Sequence, residues 1–555
     1  TWAYSTTPTP TTDLTLAGPD TVFQRLLAHY DRYTPAKVSE ITGMDVSAFT
    51  EIAATYCATG GDAKTGTIMY AMGTTQHTYG SQNVRSYAML QLLLGNVGRP
   101  GAGINALRGE SNVQGSTDHA CLFHILPGYL KTPSTSWPTY ADFIALKSAG
   151  GTTPDVIDGF TDTGGNPRGS LNWWQHTPKY MASLLRAFWK DQSKTLDEIY
   201  QWLPKLTAGT NYSHISLFEA IDAGTVKGLF CFGQNPAVGG PDAVREIAAM
   251  TKLDFLVAVD LWDTETSEFW NLCSTVPPAS INTVVYRLPA LASMEKEGSI
   301  SNSGRWAQWR YPAEVGGTHV PGPGSARPDL WILNDLALKL IELYTADAVA
   351  PGREALTYLN WNYGAAGAEP DVRAVAKEIN GYDILTDHQL LKFTELKDDG
   401  TTLSGNWLYC GSYVAPGDDT KTPGDNGNRM EKMIASTAAE DPLGLNPDWT
   451  WCWPINRRII YNGASLKPAD LTGAPFDPNR HLVYWTGATY ATSFNGRLYD
   501  VNDGIGAPAT RMPFIMKPDG CGHLFSLGGE LVDGPFPEHY EPWETPLDDN
   551  PITNN

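Results

Sequence analysis

Residues 20–29 carry apolar side chains at Val22, Phe23, Leu26 and Leu27, the spacing of a helix lying on a core. Thr34-Pro35 opens a second helix, and residues 46–57 form a third. The short apolar run 68–72 then reads as a strand that stops at Gly73. A loop of small and polar residues leads into a helix over 82–94, with Ser81 as its cap and Gly95-Asn96 at its end. A glycine-rich turn over 95–103 follows and delivers the chain to Arg108. Strand, turn, helix, turn and a lone arginine among small polar residues describe the ligand-binding edge of an α/β sheet.

Residues 6–15, rich in Thr and Pro, read as a linker or surface strap. Between 130 and 213 Pro, Gly, Trp and Thr alternate with short amphipathic pieces such as 180–190, which predicts an excursion without a sheet of its own. Regularity returns at 226–232 (VKGLFCF), a strand that breaks at Gly233-Gln234-Asn235-Pro236. Pro241, in a first-turn position, starts a helix through Met250, and 253–259 makes the next strand, ending at Asp260. This β-α-β unit has the length of a parallel crossover. A strand over 283–288 and a strongly amphipathic helix over 329–344 complete half of a doubly wound sheet. Beyond Ala350 aromatic-rich pieces alternate with acidic loops, with no repeat of solenoid length.

A chain of 555 residues is expected to hold several domains. No apolar run reaches the roughly 18 residues of a membrane-crossing helix. The net charge of −21 argues against nucleic acid as a partner, since phosphate binding needs a basic face. It also means that any anion site needs its own arginine or helix N-terminus. The seven cysteines (Cys57, Cys121, Cys231, Cys273, Cys410, Cys452, Cys521) lie far apart without a C-x-x-C pair. They outline neither a zinc ribbon, nor a cysteine-ligated cluster, nor a disulfide framework.

The Gly233 loop lacks the G-x-G-x-x-G fingerprint, but it follows a strand and precedes a helix, where backbone N–H groups meet phosphates or base edges. Asp260 stands where a carboxylate meets ribose hydroxyls, and it equally suits the N–H edge of a guanine. The plain alternative is an ordinary crossover turn with Asp260 capping or solvated. Arg108 likewise reads two ways: a loop arginine pairing with Glu110 or a carbonyl, or a guanidinium fork for a small carboxylate. In the second reading Gly109, Ser111 and Asn112 leave room for a cofactor. His119-x-Cys121-x-x-His124 matches no standard ligand spacing and is expected to pack in the core. His77, in its glycine loop, is a weak candidate. The tryptophans between Trp361 and Trp485 are expected to serve packing and interfaces before carbohydrate stacking.

Several stretches together resemble one family. They are Tyr70-Ala71-Met72-Gly73-Thr74-Thr75-Gln76-His77, Leu92-Leu93-Leu94-Gly95-Asn96, and Gly101-Ala102-Gly103-Ile104-Asn105-Ala106-Leu107-Arg108-Gly109-Glu110-Ser111-Asn112-Val113-Gln114-Gly115. Phe232-Gly233-Gln234-Asn235-Pro236, Thr264-Glu265-Thr266-Ser267 and Glu297-Gly298-Ser299-Ile300-Ser301-Asn302-Ser303-Gly304-Arg305-Trp306 continue the match. So do Trp453-Pro454-Ile455-Asn456-Arg457-Arg458, Tyr461-Asn462 and Gly534-Pro535-Phe536-Pro537-Glu538-His539-Tyr540-Glu541-Pro542. The chain resembles the large, or alpha, subunit of periplasmic respiratory-type formate dehydrogenases, within the molybdopterin oxidoreductase (DMSO reductase) superfamily.

The resemblance implies an α/β fold with Rossmann-like doubly wound parallel sheets and irregular insertions. It implies oxidation of formate to CO2, or the reverse, at molybdenum or tungsten held by two molybdopterin guanine dinucleotides. Arg108 would orient formate, and Met72, Gly73, Gln76 and Gly109 would line the pterin side. Gly233, Gln234, Asn235, Pro236 and Thr264 would approach the second nucleotide, with Asp260 and Asp329 near its guanosine. Ala290 stands where the family often has a serine, so one hydroxyl contact is expected to be lost or replaced. No metal ligand is assigned. The [4Fe-4S] cysteines and the cysteine or selenocysteine ligand have no counterpart here, nor has the closing β-barrel, so the chain reads as the middle of such a subunit, excerpted or separately encoded.

The expected divisions are 1–130, the later part of a first nucleotide-binding α/β domain; 131–215, an irregular insertion; 216–350, a second Rossmann-like nucleotide-binding domain; 351–480, an aromatic-rich insertion; and 481–555, a return segment. Expected partners are the remaining segments of the catalytic subunit, an iron–sulfur beta subunit, and a membrane cytochrome b or soluble cytochrome c, in anaerobic respiratory electron transport in the periplasm. Two other readings stay open: a molybdopterin oxidoreductase acting on an oxyanion, and a cofactor-holding subunit of a split enzyme.

Overall fold

The helices that open the chain form where the apolar spacing expects them. In α1 (Val22–Tyr30) the Thr21 side chain accepts the Gln24 amide. Thr34 plays the same part for α2 (Pro35–Thr42), whose first residue is proline and whose end is set by Gly43 at φ 71°. α3 (Val46–Cys57) follows. The computed structural model describes residues 13, 15–61, 64–96, 102–109, 112–145, 156–161, 167–169, 176–301, 307–315, 318–319, 324–391, 393–413, 483–485, 490–492, 524–525 and 534–541. The Trp449–Trp453 piece and the motif at 453–462 lie outside them.

Three expectations change between residues 67 and 106. β1 (Thr67–Tyr70) stops short of the apolar run, because Met72–Thr75 winds into a short helix, α4. His77 Nε2 fixes that turn by donating to the Gly73 carbonyl at 2.8 Å. Ser81 is not a cap: α5 (Gly80–Leu93) begins before it, and the preceding Tyr79 makes no side-chain cap bond. A Cβ at position 80 would lie 2.2 Å from the Thr75 carbonyl oxygen, so only glycine admits this entry. The second glycine passage is not only a turn, since β2 (Gly103–Ala106) pairs parallel with β1 from Thr67↔Gly103 to Tyr70↔Ala106.

The two strands are tied by buried amides. Gln91 of α5 donates to the carbonyls of Gly66 (2.9 Å) and Gly103 (2.5 Å). Its Oε1 accepts from the Tyr56 hydroxyl (2.8 Å) and from Asn96 (3.2 Å), whose own Oδ1 takes the Gly66 N–H. The segment 534–541 clasps the same unit from far along the chain. Phe536 packs with Leu26 and Met89, Arg85 donates to the Gly534 and Pro535 carbonyls, and the Tyr30 hydroxyl donates to the Pro537 carbonyl.

α6 (Val113–Asp118) leads into α7 (Tyr140–Ala145), α8 (Thr177–Phe188) and α9 (Leu196–Trp202). The piece expected to be amphipathic at 180–190 belongs to α8, which is buried along almost its whole length. Its Met181, Leu184 and Leu185 share a core with Phe143, Ile199 and Tyr200, and with Trp407, Leu408 and Tyr409 far downstream. Tyr180 and Trp407 stack at 4.1 Å.

After α10 (His214–Asp222) come β3 (Gly228–Phe232), a short helix α11 (Pro236–Gly239), α12 (Ala243–Met250), β4 (Phe255–Asp260) and β5 (Val284–Pro289). Pro241 does not start α12. Asp242 caps it, accepting the Arg245 amide at 3.1 Å, while Pro236 occupies the first position of α11. The three strands pair in parallel in the order β3-β4-β5. One face packs Leu256 on Phe218, Ile221, Ile247 and Met250; the other packs Val257 and Val259 with Ala290 and Ile332.

The hairpin β6 (Gly298–Ser301) with β7 (Ala307–Arg310) precedes α13 (Asp329–Ala346). The apolar stripe of α13 is not all inward: Leu333, Leu336, Leu340 and Leu343 are exposed. α14 (Arg353–Thr357) and α15 (Val372–Asn380) complete the described helices. Trp361 bonds Asn334 and Trp407 bonds the Gly128 carbonyl, so both serve packing as expected. The described residues thus combine helices with parallel sheets, an α/β architecture, and no described helix is long and apolar enough to cross a membrane.

Candidate functional site

Parallel strands present their carboxyl ends to one side, and loops there are free to bind. At the end of β1 and β2 the Leu107 N–H bonds the Tyr70 carbonyl at 2.7 Å, extending the ladder by one step. The chain then releases Arg108 and Gly109 beside Ala71, Met72 and Gly73. The structure therefore brings Arg108, Gly109, Met72, Gly73 and Gln76 to one edge. All five are exposed. Among the described residues Arg108 has neither an ion pair nor a hydrogen bond, and Glu110, its expected alternative partner, lies outside them.

The same edge exposes apolar side chains: Met69, Met72 (56%) and Leu107. A Cβ added at Gly73 or Gly109 would meet nothing within 4 Å, so both backbones border open ground. Just beyond, Gln114 Oε1 is buried without a partner among the described residues. An exposed apolar edge with a guanidinium that has no partner among the described residues describes ground for a ligand that is partly apolar and partly anionic.

The second edge lies where β3, β4 and β5 end. Gly233, at φ 58°, turns the chain out of β3 while its N–H bonds the Val259 carbonyl at 2.8 Å. Nothing lies within 4 Å of where its Cβ would be. Asn235 is engaged: its amide nitrogen donates to Glu265 at 2.7 Å, and its Oδ1 accepts from the amide (3.0 Å) and hydroxyl (2.7 Å) of Thr266. Thr264 closes this turn through its backbone, its N–H bonding Ser267 Oγ at 2.9 Å. A hydrogen bond from its own backbone N–H and then the Asn235 bond hold the Glu265 carboxyl below its usual range. Asn235 and Thr264 thus shape the loop, while Gly233 and Gln234 stay exposed, with Pro236 buried.

Asp260 ends β4 and caps the following turn, accepting the Leu261 N–H at 2.7 Å; the exposed Leu261 and Trp262 stand beside it. Its carbonyl takes the Ala290 N–H, and Ala290 bridges to Arg327 in parallel. That step places Asp329, at the first position of α13, two residues on from the sheet edge. The Asp329 carboxylate is ion-paired to Lys296. A cleft of about 530 Å³ opens beside this pair, lined by Glu295, Glu297 and Glu369 among others. Its carboxylates outnumber its one lysine, which suits no phosphate group. Ala290 is buried among Val257 and Val259, so no hydroxyl is supplied there.

The His119, Cys121, His124 set is only partly as expected. Cys121, Leu122, Phe123 and His124 are exposed rather than in the core, because residues 121–124 run over the surface after α6. His119 alone is enclosed, its Nδ1 donating to the Gly115 carbonyl at 2.8 Å while burial lowers its pKa. No group of His, Cys, Asp or Glu suited to a metal ion occurs among the described residues.

Sequence reasoning did not find Asp118 and Tyr409, which meet in one buried hydrogen-bonded group with Ser301, a residue it noted only as part of a matching stretch. Asp118 and Tyr409 stand 291 positions apart, and neither lies in a motif with a recognised chemical role. Only the buried position of an aspartate on a short helix marks it, and that appears with the fold.

The model of the family described as "Molybdopterin oxidoreductase" matches residues 32–339. The formate dehydrogenase subunit alpha of Megalodesulfovibrio gigas is 41% identical over 98% of this chain and 51% of its own length. The formate dehydrogenase 2 subunit alpha (cytochrome c-553) of Nitratidesulfovibrio vulgaris and the nitrate-inducible formate dehydrogenase major subunit of Escherichia coli are each 39% identical, with the same two coverages. The chain spans about half the length of these curated relatives.

Proposed function

This chain belongs to the molybdopterin oxidoreductase family, and from that premise we propose that it is the central, dinucleotide-binding portion of a formate dehydrogenase catalytic subunit. The observation that carries the reading is Arg108, an exposed guanidinium without a partner among the described residues, at the carboxyl edge of a parallel strand pair. The formate dehydrogenase names of relatives 39–41% identical over 98% of the chain support it.

The family implies a molybdopterin cofactor. The residues present fit one: Gly73, Gly109 and Gly233 border open ground, Gln114 Oε1 is an unfilled buried acceptor, and apolar side chains line the first edge. In our reading the cofactor is bis-molybdopterin guanine dinucleotide carrying molybdenum or tungsten. Met72, Gly73, Gln76 and Gly109 border one pterin. Gly233 and Gln234 approach the second nucleotide on a loop shaped by Asn235, Pro236 and Thr264, with Asp260 and Asp329 toward its guanosine. The proposed domain divisions are those at 130, 215, 350 and 480, the segments 216–350 and 1–130 forming Rossmann-like nucleotide-binding units.

When bound, the metal–pterin group supplies the acceptor for two electrons. Arg108 holds the formate carboxylate in a two-pronged hydrogen bond, a geometry lysine lacks. It also offsets the repulsion that a chain of charge −21 exerts on an anion. Formate then yields CO2, one proton and two electrons. In this reading the electrons pass to [4Fe-4S] centres and an iron–sulfur beta subunit, then to a cytochrome b or cytochrome c, in the periplasm. The test is dye reduction by the complete catalytic subunit, offered formate or, in reverse assays, nitrate, thiosulfate and arsenic oxyanions, with guanine nucleotide and metal content measured on the same sample. Formate-dependent reduction with bound guanine nucleotide is expected; turnover of an oxyanion alone would overturn the reading.

A further inference from the structure

Described residues on either side of Arg108 are held in place. Upstream, Leu107 is held by the Tyr70 carbonyl. Downstream, Asn112 adopts a left-handed backbone (φ 68°, ψ 10°), a conformation that asparagine tolerates best among residues with a Cβ. Its Oδ1 accepts the Ser301 N–H at 3.0 Å, and its carbonyl accepts the Ser116 N–H at 2.9 Å and the Ser116 hydroxyl at 3.0 Å. Ser301 is held in turn. Its hydroxyl lies 3.0 Å from the Tyr409 hydroxyl, which donates to Asp118 Oδ2 at 3.0 Å. A phenol has one proton, so with that proton on Asp118 the Ser301 hydroxyl is the donor to Tyr409.

Asp118 has no solvent exposure, and Ser301 and Tyr409 are buried with it. Hydrogen bonds of this kind, in a medium that water does not reach, favour one geometry, because a buried polar group is costly to leave unmet. The Asp118 carbonyl is also held, by the Asn406 amide at 2.7 Å. Gly115 shows how closely the parts fit. A Cβ there would meet Asn112 Oδ1 at 2.0 Å and Ser301 Oγ at 2.9 Å. Three segments distant in sequence thus converge on the residue that ends the Arg108 loop.

We propose that Asp118, Tyr409 and Ser301 act as positioning residues for formate: by holding Asn112, four positions beyond Arg108 in the chain, they favour one orientation of the guanidinium toward the carboxylate. The proposal rests on the formate dehydrogenase reading. It assigns to the insertion that carries Tyr409 a part in substrate alignment, beyond the packing of its aromatic core.

The test compares wild type, Tyr409→Phe and Asp118→Asn in the complete enzyme. Tyr409→Phe keeps the ring and removes only the hydroxyl; Asp118→Asn keeps an acceptor for it. Two readouts are taken: kcat and KM for formate, and hydrogen exchange of the Ser301 and Ser116 amides, which report on Asn112. In Tyr409→Phe the KM is expected to rise about fivefold, the factor one ordinary hydrogen bond commands, with kcat changed less than twofold and both amides exchanging faster. Asp118→Asn should raise KM less than Tyr409→Phe does, since its amide oxygen still accepts, and a larger rise than that of Tyr409→Phe would overturn the proposal. Unchanged KM in Tyr409→Phe, whether or not exchange quickens, would overturn the proposal. Absence of formate turnover in wild type is a different result: it removes the functional reading itself, whatever the exchange data show.

Discussion

The two strand edges solve one structural problem by different means. At the first, two short strands are joined by side-chain amides, Gln91 and Asn96, with a small apolar cluster of Leu26, Met89 and Phe536 behind them. At the second, three strands sit between apolar layers, and amide bonding is confined to the loop where Asn235 grips Thr266 and Glu265. The first edge is held from beneath and leaves Arg108 without a partner among the described residues; the second is apolar beneath and engages Asn235, Glu265 and Thr266 with one another. An unpartnered Arg108 suits a substrate that arrives and leaves. A loop satisfied internally suits a ligand that stays.

If the contrast holds, the largest stability loss should come from the first edge. Gln91→Leu removes two donor and two acceptor contacts from groups with little access to water, and should lower unfolding free energy by about 3–4 kcal/mol in urea melts. Asn235→Asp should cost less than Gln91→Leu in the same melts, since a second carboxylate would face the solvent-exposed Glu265 where a donor now stands, and should reduce retained guanine nucleotide. Asp242→Ala, which removes the cap of α12 and touches neither edge, should cost only about 1 kcal/mol. A loss at Asn235 larger than that at Gln91 would reverse the comparison.

The smallest effect is one of slope. Burial pushes the Glu378 carboxyl up to about 7, partly offset by the Tyr363 hydroxyl, Lys190 and Asn360. The folded state therefore keeps a proton that the unfolded chain gives up near 4.5. This contribution to stability is complete below about pH 4.5 and is lost as pH rises through 7. Glu378→Gln should flatten the fall in Tm across that window. An unchanged slope would place the proton elsewhere.

Much of the fold was legible in the chain. The β3–α12–β4 crossover showed itself because its strands are apolar runs bounded by turn residues, α1 because its apolar residues recur at helical spacing, and α2 because Thr34-Pro35 opens it. What stayed hidden depends on distant contacts. β2 begins with Gly103 and resembles a loop until β1 lies beside it. Gly80 opens α5 in place of a capped Ser81 because the Thr75 carbonyl leaves no space for a Cβ. At the site, Arg108 and Gly233 are marked by their neighbours in sequence, whereas Asp118 and Tyr409 acquire meaning only when the chain brings them 3.0 Å apart. Asn235 was legible as a loop residue, and its engagement with Thr266 was not.

The central claim is that Arg108 is the substrate's anchor, and it is tested most directly by the kinetics of Arg108→Lys in the complete enzyme with guanine nucleotide content held as a control. The account predicts that kcat/KM for formate falls about tenfold or more, since the two-pronged carboxylate contact is lost, while bound nucleotide is unchanged. A kcat/KM within about twofold of wild type would contradict it.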